Sequence, residues 1–225
     1  QLFLSYVIVL TFTLLAGSLL NYQTTNILKE ENNRANDALL KQFSNTIDSK
    51  LADLPNLALQ AYQVADDNRY SSRYKSSHGD QQFSQYIRLQ VSTSLNRIRR
   101  ATENTENIFI FYGDEEYIIG QSSATSSNCF YQSYYTTDYF TYDDWNDMLR
   151  SPDSNRFIRF PSSTGAKSIG YVYTPYAEMK RANPDKVFVI FSPHELQKTI
   201  SNSRWKNNGA FLIYSPDGSV LASSN

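Results

Sequence analysis

An uncharged apolar run opens the chain. Residues 2–20 carry no charged side chain, and the first charged residue is Lys29. A helix of about 20 apolar residues crosses a bilayer, whereas the apolar part of a secretory signal peptide spans about 7–15 residues. A cleaved signal peptide is the competing interpretation, because Ala16, Gly17 and Ser18 would suit a cleavage site. The length of the run and the lack of a preceding basic segment favour a retained transmembrane helix over residues 1–21.

A helical pattern of apolar positions follows over residues 22–66. Apolar or small side chains recur there every three or four residues, which places them on one face of a helix. These positions are Leu39, Phe43, Ile47, Leu51, Leu54, Ala58, Ala61 and Ala65. Pro55 lacks a backbone donor and crowds the preceding turn, so we expect a kink or a break there.

This long helix has two interpretations. Over residues 50–66, packing within its own domain is favoured. Over residues 27–47, an apolar stripe next to the membrane needs a partner, which favours a helix that transmits movement to the membrane segment. We therefore expect a homodimer, although the heptad pattern is too short to establish a coiled coil.

The pattern then changes from helices to strands. A polar loop is predicted over residues 67–82, and a second amphipathic helix over residues 83–102. Strands rich in aromatic and β-branched residues are predicted at 107–112, 117–120, 157–160, 169–173 and 186–191. A long aromatic connector covers 121–142, a short helix with Asp143 as its N-cap covers 143–150, and another helix covers 193–203. A closing hairpin is expected from residues 210–214 and 220–221.

This order of elements predicts the α+β class, with one antiparallel sheet and flanking helices. We assign residues 1–21 to the membrane helix, 22–66 to the long helix and 67–203 to a membrane-distal domain. The closing hairpin cannot bury a face alone. Residues 204–225 are therefore interpreted as the beginning of a second, truncated module, or as an added edge of the first.

The composition of the chain argues against several classes of function. The chain has 21 basic and 22 acidic side chains, so nothing favours direct nucleic-acid binding, which needs a basic surface. The single cysteine, Cys129, excludes an internal disulfide, and the two histidines are far apart, so no metal-ligand spacing exists. Sequence motifs for nucleophilic, phosphate-binding or zinc chemistry are absent. We expect no catalytic activity, metal or cofactor.

Aromatic residues supply the best candidate binding site. The stretch 130–145 is rich in them, and small-ligand pockets are mostly apolar and aromatic with a few polar groups. Arg159 is the candidate charge, with Arg156 a weaker one, and Tyr171 and Tyr173 alternate along one strand so that both lie on one sheet face. The candidate ligand-binding residues are Tyr135, Tyr139, Trp145, Arg159, Tyr171 and Tyr173. The alternative is that these aromatic residues only form a core.

The segments LFLSYVIVL, NILKEENNRANDALLKQFSNTIDSKLADLPNLALQ, NIFIFYGDEEYII and YDDWNDML occur in that order. Together they resemble the N-terminal region of bacterial membrane-bound AraC-type regulators and of related sensor histidine kinases. The resemblance implies two membrane helices flanking an extracytoplasmic double Cache (PAS-like) sensor, followed by a DNA-binding or kinase domain. The hairpin sequence GAFLIYSPDGSVLASS resembles the opening of the membrane-proximal module. DNA would then be a partner only of a C-terminal domain that is missing here.

The resemblance also implies a ligand class. Cache modules that bind amino acids grip them with a Tyr, Arg, Trp, Tyr and Asp set, and Trp145 matches the Trp position. Asp143, Asp144 and Asn146 stand where the neighbouring Arg and Tyr would be, which argues against an amino-acid ligand. We therefore expect a sugar, a peptide or another solute, sensed outside the cell. A closed aromatic cavity would favour this interpretation, and a flat exposed patch would favour an envelope protein or a cell-wall fragment as partner.

Overall fold

The computed structural model describes most of the chain. The described residues are 2–76, 81–102, 105–122, 124–137, 140–151, 155–161, 167–175, 183–191, 212–214, 218 and 220–223. Within these, the side chains of residues 2, 4–9, 68–76, 81–84, 167, 212–213 and 220–223 are not described. The predicted helix over 193–203 lies outside the described residues.

Four α-helices, a short 3-10 helix (Gly113–Glu115) and eight strands are found in the described part of the chain. The helices are α1 (Leu2–Ser76), α2 (Gln81–Ala101), α3 (Ser127–Tyr134) and α4 (Tyr142–Arg150). The strands are β1 (Thr105–Tyr112), β2 (Tyr117–Ile119), β3 (Ala124–Ser126), β4 (Arg156–Pro161), β5 (Lys167–Tyr173), β6 (Lys186–Phe191), β7 (Leu212–Tyr214) and β8 (Val220–Ser223). The predicted α+β class is confirmed.

Six strands form one sheet in the order β3-β2-β1-β6-β5-β4, and each neighbouring pair is antiparallel. Strand β6 is central, and all six of its residues are buried. Its sequence KVFVIF explains this position, because β-branched and aromatic side chains fit a pleated surface that is covered on both faces. The single antiparallel sheet that the sequence predicts is therefore confirmed, with one strand more than expected.

The two faces of this sheet bury different kinds of side chain. Because side chains alternate along a strand, Phe109 and Phe188 point to one face, while Ile108 and Val189 point to the other. The first face is covered by α3 and α4, and we call it the aromatic face. The second face is covered by α2 and by the part of α1 after residue 51, and we call it the helical face.

The chain divides into two compact units, residues 1–51 and 52–225. In the second unit, α1 buries Leu54, Ala58, Ala61 and Ala65, as the apolar stripe predicts. In the first unit, Leu39 of the same stripe is 42% exposed. The helix continues through Pro55, so of the predicted kink or break the break is wrong, and the kink stays a prediction. The predicted loop over 67–82 is wrong for residues 67–76, which belong to α1, and for residues 81–82, with which α2 begins; residues 77–80 lie outside the described part. No Gly or Pro interrupts the sequence between Asp66 and Ser76.

The predicted membrane helix over residues 1–21 is helical, since it lies in α1. Residue 1 and the side chains of residues 2 and 4–9 are outside the described part. Within the described part, no helix is both long and apolar enough to cross a membrane. The transmembrane assignment therefore stays a prediction from the sequence.

The aromatic connector predicted for 121–142 contains two elements that the sequence did not reveal. Strand β3 pairs with β2 at the sheet edge, and α3 follows it at once, with the Ser126 hydroxyl accepting from the Cys129 backbone N–H at 3.4 Å. Helix α4 agrees with the prediction for 143–150, but its N-cap is Thr141 and not Asp143. Thr141 and Asp144 form a reciprocal capping box, which satisfies two backbone donors at once.

The closing hairpin of β7 and β8 is confirmed and forms its own two-stranded sheet. Strand β8 contacts β4 and β5. The interpretation of this hairpin as the beginning of a second module stays a prediction.

Candidate functional site

A cluster of aromatic side chains fills the space between the aromatic face and helices α3 and α4. We call it the aromatic cluster. Its buried members are Phe109, Phe111, Ile118, Phe130, Tyr131, Tyr135, Trp145, Leu149, Phe160, Val172, Phe188 and Ile190. Trp145 lies inside it, fully buried and 5.7 Å from the ring of Tyr135. Close aromatic pairs of this kind add stability beyond the area that they bury.

Trp145 is held in place from two directions. The capping box starts α4 so that Trp145 and Leu149, one turn apart, both face the sheet. The indole Nε1 donates a 2.9 Å hydrogen bond to the hydroxyl of Ser127 at the start of α3. The indole N–H is the only hydrogen-bond donor of the Trp145 side chain, so its hydrogen-bonding capacity is satisfied inside the protein. Trp145 is therefore a core residue in this arrangement.

The sheet separates the five described residues among the six that were predicted for the ligand site. Tyr135 and Trp145 lie together in the aromatic cluster. Tyr171 and Tyr173 share a sheet face as predicted, but this is the helical face, where the Tyr173 ring lies 6.1 Å from Tyr62 of α1. Arg159 is exposed and alternates with Ile158 and Phe160 of the aromatic face, so it also points to the helical face. Tyr139, the sixth, lies outside the described residues.

A partly enclosed cavity opens at the edge of the aromatic cluster. Its volume is about 200 Å³, and we call it the polar cavity. It is lined by Glu106, Asn107, Gln121, Ser122, Phe130, Tyr134 and Tyr135. The side chain of Asn107 connects its walls: the amide nitrogen donates to the Tyr135 hydroxyl oxygen at 2.9 Å, and the amide oxygen accepts from Gln121 at 2.9 Å.

Glu106 brings a carboxylate to this cavity through an irregularity in β1. The pairing of β1 with β6 shifts between Thr105 and Asn107, which marks Glu106 as the extra residue of a β-bulge. Bulges re-aim side chains and are frequent beside functional sites. The Ser168 hydroxyl of β5 donates to Glu106 Oε2 at 2.8 Å, which orients the carboxylate across the end of the sheet.

The Tyr135 hydroxyl is buried and neutral. Burial raises the pKa of Tyr135 far above its ordinary value, and this effect outweighs the hydrogen bond from Asn107, which lowers it. The oxygen accepts from Asn107, so the hydroxyl hydrogen of Tyr135 can be donated into the cavity. The cavity thus offers a carboxylate, two amides, a hydroxyl donor and two aromatic walls.

Reasoning from the sequence missed Glu106, Asn107 and Gln121. A signal for Asn107 was present, because Asn107, Phe109 and Phe111 alternate along one strand and so share a face. The bulge at Glu106 and the hydrogen bond from Ser168 depend on pairing between strands that are distant in sequence, and no local sequence pattern predicts such pairing.

A shallower groove lies between α2 and the hairpin of β2 and β3. It has a volume of about 310 Å³ and shares Ser122 with the polar cavity. Within it, the guanidinium of Arg88 lies 4.1 Å from the centre of the Tyr117 ring, a cation–π contact. On the same helix, Tyr86 and Leu89 are exposed.

The described residues show no group of three or more His, Cys, Asp or Glu side chains that could hold a metal ion. Cys129 is a free, exposed thiol on α3. Lys186 is buried, and its ammonium donates to the backbone carbonyls of Met148 at 2.8 Å and Ser151 at 2.5 Å. These contacts satisfy carbonyls at the C-terminus of α4 and fix that helix to the central strand.

No family model and no curated relative matches this chain. Among solved structures, the chain is similar to the sensory domain of the Campylobacter jejuni chemoreceptor Tlp3 (CcmL) with isoleucine bound, at 13% identity over 81% of this chain and 74% of that one, with a TM-score of 0.37. It is also similar to the ligand-binding domain of the same receptor with 4-methylisoleucine, at 15% identity over 79% and 71%, TM-score 0.37. At these identities and TM-scores, the ligands of those proteins say nothing about what this chain binds.

Proposed function

We propose that residues 52–225 are a sensing domain that binds a small solute in the polar cavity. The observation that carries this proposal is the cavity itself, which places a carboxylate, two amides and a buried hydroxyl against two aromatic rings. Ligand sites combine apolar walls with a few oriented polar groups in this way. A volume of about 200 Å³ limits the ligand to a small solute.

The arrangement of α3 gives the domain a way to respond. Phe130, Tyr134 and Tyr135 belong to α3 or follow it directly, whereas Glu106 and Asn107 belong to β1. A solute that contacts both elements would fix their separation. A ligand shifts a conformational equilibrium only as far as it prefers one state, and a change from 1:99 to 99:1 needs about 5.5 kcal/mol of preference.

In the parent protein, this domain would serve as the input of a regulator. The sequence resemblance supports a bacterial membrane-bound AraC-type transcriptional regulator with a Cache-like extracytoplasmic sensor, and a sensor histidine kinase is the alternative. DNA binding would belong to the output domain of such a regulator and not to residues 52–225. The uncharged run over residues 2–20 supports attachment of the chain to the cell membrane.

Membrane attachment has its own test. Cells expressing the chain with a C-terminal tag should retain it in the membrane fraction after an alkaline wash, and detergent should release it. An external protease should remove the tag from spheroplasts. A tag that stays protected from the protease, or a chain recovered with the soluble proteins, would contradict the proposed location. Neither result would bear on the proposed solute site.

The solute site is tested by thermal unfolding against a panel of sugars, amines, amino acids, alcohols and short peptides. A specific ligand should raise the midpoint of unfolding in proportion to the logarithm of its concentration. Tyr134→Ala, which removes one wall of the polar cavity, should abolish the response. Arg159→Ala is the control, because Arg159 lies on the opposite sheet face and its loss should leave the response unchanged. If no solute raises the midpoint, a protein or cell-wall partner becomes the better explanation.

A further inference from the structure

A chain of hydrogen bonds in the polar cavity ends in a donor, and this points to the kind of solute that the cavity binds. We infer that the ligand presents an acceptor oxygen of ether, carbonyl or sulfoxide type to the hydroxyl of Tyr135, and that Tyr135 is the residue that selects for it. This inference rests on the function proposed above and adds the chemical class of the ligand. It differs from the prediction made from the sequence, in which Arg159 would supply a charge.

The first step is the direction of the hydrogen bonds along the cavity wall. The amide nitrogen of Gln121 donates to the amide oxygen of Asn107 at 2.9 Å, and the amide nitrogen of Asn107 donates to the Tyr135 oxygen at 2.9 Å. The Tyr135 oxygen is therefore an acceptor in this chain, and its own hydrogen is left for a further partner. Hydrogen bonds that run in one direction polarise one another, which strengthens the last donor.

The second step is the position of this last donor. Among the residues that the structure describes, only Asn107 forms a hydrogen bond with the Tyr135 hydroxyl. The side chain of Tyr135 is only 3% exposed, and Tyr135 and Asn107 both line the polar cavity. A buried donor that is left without a partner costs free energy. A solute with an acceptor oxygen would satisfy this donor, whereas a solute without one would leave it unsatisfied.

The third step is the protonation of Tyr135. Burial, and to a smaller extent the charge of Glu106, raise the pKa of Tyr135 far above its ordinary value, and the hydrogen bond from Asn107 does not offset this. The hydroxyl therefore keeps its hydrogen at physiological pH. The Glu106 carboxylate accepts from Ser168 at 2.8 Å and acts on Tyr135 through its charge, so the Tyr135 hydrogen is not donated to it.

The aromatic walls suit the rest of such a ligand. The rings of Phe130 and Tyr134 lie 4.9 Å apart, and both line the cavity. They offer an apolar surface next to the Tyr135 hydroxyl, and ligand sites combine apolar walls with a few placed polar groups in this way. The class that fits is a small solute with an apolar body and an acceptor oxygen.

The test compares ring compounds of similar shape that are uncharged and donate no hydrogen bond. The series is tetrahydrothiophene 1-oxide, tetrahydrofuran and tetrahydrothiophene, measured by isothermal titration with the whole chain. The sulfoxide and the ether should each bind at least about fivefold more tightly than the thioether, whose sulfur is a weak acceptor. A purely apolar pocket would give the opposite order, because the thioether is the least polar of the three.

Tyr135→Phe removes the donor and keeps the ring. It should abolish the preference for the oxygen compounds over the thioether. Tyr134→Phe is the matched control, because it removes a second phenol hydroxyl from the same cavity and leaves the bonds of Asn107 intact, so the preference should remain. The unfolding midpoint without ligand shows that each variant is folded.

Asn107→Asp tests the direction of the chain and keeps the Tyr135 hydroxyl. An ionised carboxylate only accepts hydrogen bonds, so Tyr135 should then donate to it and no longer to the ligand. Measured at mildly alkaline pH, this variant should also lose the preference for the oxygen compounds. The result does not depend on the stability of Tyr135→Phe.

The possible failures are distinguishable. A thioether that binds as tightly as the oxygen compounds, with binding that is lost in Tyr134→Ala, overturns the assignment of an acceptor and leaves the solute-sensing function standing. A preference that persists in Tyr135→Phe or in Asn107→Asp also overturns it. If only a solute of the wider panel binds, its affinity should fall at least about fivefold in Tyr135→Phe, and an unchanged affinity overturns the inference. If no solute of either set binds, the proposed function fails and this inference fails with it.

Discussion

The side-chain amide nitrogen of Asn107 lies 2.9 Å from the hydroxyl oxygen of Tyr135, although the two residues belong to a strand and to the end of a helix. This bond connects the first part of β1 to the end of α3 beside the polar cavity. It therefore links the wall that would contact a solute to the helix that would move in response.

Removing this bond should affect stability and binding together. Tyr135→Phe keeps the ring in the aromatic cluster but leaves the amide of Asn107 without this acceptor, which should lower the free energy of unfolding by about 1–3 kcal/mol. Urea unfolding followed by fluorescence measures the change. Tyr142→Phe is the control, since Tyr142 is 37% exposed on α4. Equal losses in both variants would show that the Asn107 bond contributes nothing particular.

Trp145 should behave as a core residue and not as a contact for the ligand. Its side chain is fully buried, so Trp145→Ala should destabilise the domain by about 3–5 kcal/mol through the lost burial and the cavity left behind. Ser127→Ala, which removes only the acceptor of the indole N–H, should cost about 1–3 kcal/mol. A stable Trp145→Ala variant that has lost only its response to ligand would contradict this assignment.

The capping box of α4 predicts a dependence on pH. Hydrogen bonds from the backbone N–H and the hydroxyl of Thr141 hold the pKa of Asp144 below its ordinary value. A carboxyl with a lower pKa in the folded state stabilises the fold above its unfolded pKa, and that contribution disappears as the pH falls through the folded pKa.

Asp144→Asn should therefore destabilise the protein at neutral pH, and its difference from the wild type should shrink in acid below the ordinary carboxyl range. Urea unfolding at several pH values measures this. Asp143→Asn is the matched control, because it removes the neighbouring charge but leaves the capping box intact. A difference between Asp144→Asn and wild type that stays constant with pH would exclude the ionised capping box as its source.

Gly113 should tolerate no side chain. A Cβ atom at this position would lie 2.1 Å from the backbone oxygen of Asn183, so the two segments that approach each other would have to move apart. Gly113→Ala should cost about 1–3 kcal/mol or more. Gly17→Ala is the contrast, because nothing lies within 4 Å of its Cβ position and alanine is a better helix former. Thermal unfolding of both variants gives the comparison, and a Gly113→Ala variant as stable as wild type would contradict the close packing.

The sequence was informative wherever one local pattern decided the structure. Strand β6 is predictable because its sequence is a short run of β-branched and aromatic residues. Such a run is typical of a strand that is covered on both faces, and all six residues of β6 are buried. Helix α3 was not predictable, because its aromatic residues suit strands equally well. Its N-cap, Ser126, is also the last residue of β3, so the start of the helix depends on the pairing of that strand. At α4, Asp143 and Thr141 are both good caps by type, and only the bond to Asp144 distinguishes them.

The same limit applies to the candidate site. Alternation correctly put Tyr171 and Tyr173 on one face, but the sequence could not tell which face would meet α3 and α4, so Arg159 was placed in a pocket that it does not reach. The residues that do line the cavity, above all Glu106, come together through a bulge and a bond to Ser168, 62 positions away. Such contacts follow from the pairing of strands and not from neighbouring residues.

Solute binding in the polar cavity is tested most directly by a crystal structure of the chain. The crystals would be grown with a solute at a concentration that saturates the rise in unfolding midpoint which that solute causes. We predict electron density for the solute in the polar cavity, within hydrogen-bonding distance of Asn107, Tyr135 or Glu106 and in contact with the ring of Tyr134. A cavity that holds only water while the solute lies on the helical face or in the groove beside Arg88 would contradict the account.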